Sequence, residues 1–155
     1  MQDELVEAWR TNCRINLLLI DQIKDAGMPC TLSTRGGRGV AGEFAHLHNV
    51  RVWHLQKRAK DLAEGLAIFE TKVMPTKAQL KKALKASAKG IEALLVGALN
   101  GEAKRRGFKK GIFTTLAYFV AHEAHHRGRI LLTLKVSGQT LDKKTQMAIW
   151  GWDQM

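Results

Sequence analysis

The sequence predicts an all-α protein: an antiparallel four-helix bundle with a short extra C-terminal helix. Apolar residues recur every three to four positions through four long segments, the signature of helices that bury one face. Only two prolines, Pro29 and Pro75, interrupt the 155 residues, and alternating β-branched runs are few. The connections between the long segments are mostly short, which favours antiparallel neighbours. A chain of this length has the usual size of one domain, so residues 1–155 are expected to form a single one. With 45% hydrophobic residues, such a domain can hide roughly 70% of the surface its unfolded chain exposes.

The first helix is expected from Asp3 to Ala26. Leu5, Val6, Trp9, Ile15, Leu18, Leu19 and Ile23 recur at helical spacing, and Gly27 with Pro29 ends the run. Residues Met28 to Gly39 form a basic loop, with Gly36, Gly37 and Gly39 in the run RGGRG. No predicted strand precedes these glycines, so they are not a phosphate-binding signature. The second helix runs from Val40 to beyond Lys60, with Phe44, Leu47, Val50, Leu55 and Leu62 on its apolar side.

After a loop near Thr71 to Pro75, the third helix opens on Thr76 and Gln79, the T-x-x-Q spacing of a capping box. Its buried stripe is Leu80, Leu84, Ile91, Leu94, Leu95 and Ala98, and Asn100-Gly101 stops it. Lys77, Lys81, Lys85 and Lys89 repeat every four residues and read as a solvated face. The basic connection GEAKRRGFKKG leads to a fourth helix from Ile112 to Val136, closed by Ser137-Gly138. A short helix from Asp142 to Trp150 is expected to pack across the bundle end through Ile149 and Trp150.

The formal net charge of +11 favours encounter with anions, whether nucleic acid, anionic lipid or acidic small molecules. Cys13 and Cys30 show neither metal-ligand spacing nor a disulfide framework, which suits a reducing cytoplasm. The acidic start MQDELVEAWR lacks an apolar signal core. No apolar run approaches the roughly 20 residues that span a bilayer, so no membrane role is expected.

The six histidines fall in two short windows, AHLHNVRVWH and AHEAHHRG. Residues four apart on a helix share a face, so His122 and His126 can aim two imidazoles at one ion. Two imidazoles hold a divalent ion only loosely, and bundle metal sites recruit ligands from facing helices. His46 lies on the stripe with Val50 and Trp53, which is expected to pack inward, and so is the third candidate. His48, rotated by about 200°, is the competing choice. Three histidine ligands leave a position open for water, whose pKa on Zn²⁺ can fall to near 7. Imidazole suits Zn, Ni, Cu and Fe alike, so the sequence does not fix the metal; the divalent ion expected is Zn, Ni, Fe or Mn.

His122 to His126 also satisfies H-E-x-x-H, the zinc-peptidase helix motif in which the glutamate is the general base. The metzincin extension is absent. Glu123 is nevertheless the candidate acid/base group, or an acceptor for a ligand histidine. Arg51 and Arg127, each near a proposed ligand, are candidates to hold an anionic group of a substrate or cofactor.

With these residues in view, the chain resembles the DinB-like (DinB/YfiT) family of metal-binding four-helix bundles. The resemblance is carried by FAHLHNVRVWHL, AHEAHHRGRILLTLKVSG and AIWGW, in that order, over roughly Trp9 to Trp152. It implies a divalent metal held by one histidine of the second helix and two of the fourth, here His46, His122 and His126. It further implies homodimers in many members. For some members it implies a thiol-dependent S-transferase, in which the metal would polarise a low-molecular-weight thiol. The expected function is thus metal-dependent transfer or hydrolysis on a small-molecule substrate. The alternative is a nucleic-acid-associated basic helical protein, with phosphate contacts from Arg35 to Arg38 and from Lys104, Arg105, Arg106, Lys109 and Lys110 around Phe108.

Overall fold

The computed structural model describes residues 1–155 and contains four long helices and no strand. Helix α1 spans Gln2–Gln22, α2 Val40–Arg58, α3 Lys77–Leu99 and α4 Ile112–Val136. A short α5 spans Lys143–Ala148. Helix α2 packs against both α3 and α4, and α1 packs against the same two. The apolar stripes read from the sequence meet in two clusters. One gathers Ile15, Leu19, Phe44, Leu80 and Ile130 with their neighbours, and the other gathers Trp9, Leu55, Ile91, Leu95 and Phe119.

Local chemistry sets the helix ends. Helix α1 was expected to reach Ala26 but stops at Gln22, because Ile23 turns extended and buries its side chain. Lys77 then takes the Ile23 carbonyl and pairs with Asp25 at 3.0 Å. Helix α2 ends at Arg58 rather than beyond Lys60. Ala59 is buried in a non-helical conformation and a 3₁₀ turn follows over Lys60–Ala63. Leu62 reaches the core from that turn instead of from the helix.

Helix α3 begins with the expected capping box: Gln79 N–H donates to Thr76 Oγ1 at 3.2 Å, and Thr76 N–H donates to Gln79 Oε1 at 2.8 Å. Gly90 lets α2 approach, since a Cβ there would stand 2.6 Å from Leu55 Cδ1. The lysine row is only half a solvated face. Lys77 and Lys81 tie α3 to the end of α1, Lys81 through Asp21, while Lys85 and Lys89 are exposed. Ala98 is only partly buried.

Asp142 caps α5, accepting from Thr145 N–H at 2.8 Å. Ile149 is buried as expected, but Trp150 is 76% exposed. No helix is long and apolar enough to cross a membrane.

Candidate metal centre

Two helices meet with their histidines facing each other. His46 projects from α2, and His122 and His126, one turn apart, project from α4. One ring nitrogen of each lies within 4.8 Å of those of the other two, so the three can hold a metal ion. The His122 and His126 Nε2 atoms are 3.1 Å apart. Two Zn–N bonds of about 2.0–2.1 Å at a tetrahedral angle separate their nitrogens by about 3.3 Å, so the pair already has the span of two ligands to one ion.

Supporting side chains fix the rings. His126 Nδ1–H donates to Glu43 Oε2 at 2.5 Å, which selects the tautomer whose Nε2 lone pair faces His122. Glu43 is buried on α2 and pairs through Oε1 with Arg129 at 3.2 Å. Burial opposes charge on Glu43, but the His126 hydrogen bond and the fields of Arg129 and Arg38 outweigh it and hold its carboxyl below the usual range. Tyr118, one turn before His122, stacks on that ring with centroids 5.7 Å apart and planes 16° apart.

Burial, with the Arg38 charge second, pushes the His46 imidazole down to about 4. His122 is lowered too, mainly by burial and then by His126. Both rings are therefore neutral near pH 7, the form that donates a lone pair to a metal.

The choice between His46 and His48 is decided by direction. His48 is buried on another side of α2, with Nε2 3.0 Å from the Ala67 carbonyl. Beside it, Asn49 donates to the Phe69 carbonyl and accepts from the Phe69 N–H, each at 2.9 Å. Together they moor the segment between α2 and α3 against α2. That segment and the loop after α1 wall a cleft of about 490 Å³, on whose lining His46 lies. Trp53 lies on the same lining. It was expected in the core but is 47% exposed, its ring 6.2 Å from and edge-on to His46.

Glu123, Arg51 and Arg127, expected beside the metal, belong to a buried polar cluster between α1, α2 and α4. Glu123 is 1% exposed and takes Arg51 Nε at 2.6 Å and Nη2 at 2.8 Å. Asn12 and Asn16 each donate to its Oε2 at 2.7 Å. Burial disfavours its charge, yet Arg51 and Asn16 reverse the balance and keep it ionised. Arg51 also donates to the Leu84 carbonyl and stands 4.7 Å over the Trp9 ring. Arg127 donates to Asn16 Oδ1 at 3.0 Å.

A carboxylate with both oxygens held and its charge locked does not suit proton transfer, and two buried guanidiniums with these partners do not suit substrate binding. The physical reason is the helical turn: one residue past His122 is about 100° around α4, toward α1 rather than toward the histidines.

Of the supporting residues, Glu43 had a legible signal, since it precedes His46 by three and thus shares its face. Tyr118 precedes His122 by four in the same way. Asn49 had none, because its partner is backbone. Comparisons with protein-family models, with curated proteins and with solved structures find no match to this chain.

Proposed function

We propose that this chain is a DinB-like antiparallel four-helix bundle that holds a divalent ion with His46, His122 and His126 and acts on a small molecule. The observation that carries the reading is the convergence of three imidazoles from two helices within 4.8 Å, with a carboxylate orienting one of them. A divalent ion held there would act as a Lewis acid, lowering the pKa of a thiol or a water and so suiting S-transfer or hydrolysis. The chain's own part is positional. Glu43 and Tyr118 set the rings, and the segment moored by His48 and Asn49 walls the cleft through which a substrate reaches His46. A peptidase reading is not supported, since the glutamate of the H-E-x-x-H run is committed to Arg51.

The test is elemental analysis of protein expressed without a histidine tag, beside a variant with His46, His122 and His126 changed to Ala. Near-stoichiometric Zn, Ni, Fe or Mn in the native protein and its loss in the variant are expected. Native protein that takes up no ion even from excess would sink the reading.

The exposed cations Lys104, Arg106, Lys109 and Lys110 between α3 and α4 favour a second reading, a nucleic-acid contact made through phosphates. Arg105 takes no part in it, being paired at both Nη atoms with Asp61. A DNA titration at near-physiological salt decides it: no binding there assigns the charge to solubility.

A further inference from the structure

The basic loop after α1 has a use that the three-histidine reading leaves open. Arg38 lines the same cleft as His46 and Trp53. Its guanidinium finds no carboxylate partner. Glu43, the acid of the neighbouring helical turn, spends its oxygens on His126 and Arg129.

The loop that presents Arg38 is built rather than slack. Val40 N–H donates to the Cys30 carbonyl at 2.9 Å, Ala41 N–H to the Met28 carbonyl at 3.0 Å, and Gly37 N–H to Ser33 Oγ at 2.7 Å. Gly36 has a φ of +76°, and a Cβ on Gly39 would stand 2.8 Å from the Cys30 carbonyl oxygen, so the glycines flanking Arg38 are required by the backbone path.

A cation on the lining shared with His46 is unfavourable on its own, because it works against the charge the histidines would hold. An anion lying between the ion and the guanidinium removes that conflict. A planar guanidinium is also matched to an oxyanion, which it can hold by two parallel hydrogen bonds. The cleft adds apolar wall from Met28, Trp53, Ile68 and Phe69, with Lys72 as a second cation and Glu70 as the one acid. Its volume of about 490 Å³ fits a small organic molecule.

We propose that Arg38 is the oxyanion clamp of this site, taking the carboxylate or phosphate of a small substrate whose apolar body lies against Trp53. The proposal rests on the reading of the three histidines as a metal centre, and the experiment separates the two. Native protein and Arg38→Gln are titrated calorimetrically at 0.15 M salt (a concentration chosen to screen unspecific charge) with benzoate, phenyl phosphate and neutral benzyl alcohol. Each titration is run on zinc-loaded and on chelator-treated, dialysed protein, and zinc content is measured in parallel.

Native protein is expected to bind at least one of the two anions roughly tenfold or more tightly than the alcohol. Arg38→Gln is expected to lose that preference with zinc content unchanged. Which anion wins identifies the source of the oxyanion. An Arg38→Gln protein that binds the anions as native does would overturn the clamp, as would a native protein with no preference for anion over alcohol. If native protein takes no zinc yet shows an Arg38-dependent preference, the clamp stands and the metal reading falls. If zinc binds without that preference, the reverse holds.

Discussion

Glu43 and Glu123 are two buried carboxylates on facing helices with different work to do. Glu43 meets an imidazole N–H and so orients a candidate ligand, whereas Glu123 meets a guanidinium and two amides and so holds three helices together. Replacing Glu43 by Gln weakens the acceptor facing His126. Zinc affinity, read by chelator competition, is expected to fall roughly ten- to a hundredfold with little change in the fold. Glu123→Gln leaves Arg51 without its counter-charge in a dry site and is expected to cost roughly 3–5 kcal/mol in denaturant unfolding. Its zinc content, for whatever molecules remain folded, should match the native protein. Equal loss of zinc affinity in both variants would contradict this division. Cys13 belongs to the same buried region, where desolvation pushes its thiol up to about 12 despite Arg51 nearby. That is not the setting of a reactive cysteine.

Among the elements, α3 shows most clearly which features follow from local sequence. Its start is a reciprocal side-chain cap, and Thr76→Ala removes the acceptor for Gln79 N–H. The expected loss is about 1 kcal/mol, measured by urea unfolding; no change would mean the first turn is held by tertiary contacts alone. The ends of α1 and α2 fall short of the periodic pattern for a shared reason. In both, the hydrophobic pattern continues past the last helical residue, and only the partner surface decides that Ile23 and Ala59 bury themselves from extended or irregular backbone. The moored segment between α2 and α3 is likewise invisible in periodicity, since His48 and Asn49 bind its main chain rather than any recognisable side-chain motif.

For the whole molecule, the histidines couple stability to pH. Burial first, and then the Arg58 charge, lowers His54 to about 4; its ring packs among Phe108, Tyr118 and Phe119. His46, His48 and His122 are lowered as well. In the unfolded chain these groups return to the ordinary histidine value of about 6.5. Between that value and about 4 the unfolded state binds more protons, so stability rises with pH across this window and is lost on acidification through it. Chelator-treated protein should therefore melt at progressively lower temperature from pH 7 to pH 4.5. His54→Phe, which cannot take the proton, should show a shallower decline. A melting temperature flat over this range would mean that the rings are not held neutral.

By itself, the sequence determined the all-helical class, the four long helices to within a few residues, the α3 cap and the three histidines as a group. Each of these depends on spacing along one helix or on the identity of neighbouring residues, and both are properties of the chain alone. The tertiary structure decided what depends on direction in space. It turned Glu123 away to Arg51, sent His48 to a backbone carbonyl, left Trp53 on the cleft wall, brought Glu43 to His126 and put Arg38 on the cleft that His46 lines. Helical spacing says which residues share a face, but not which neighbour that face meets. A charged side chain finds its role only when packing decides which opposite charge lies within reach.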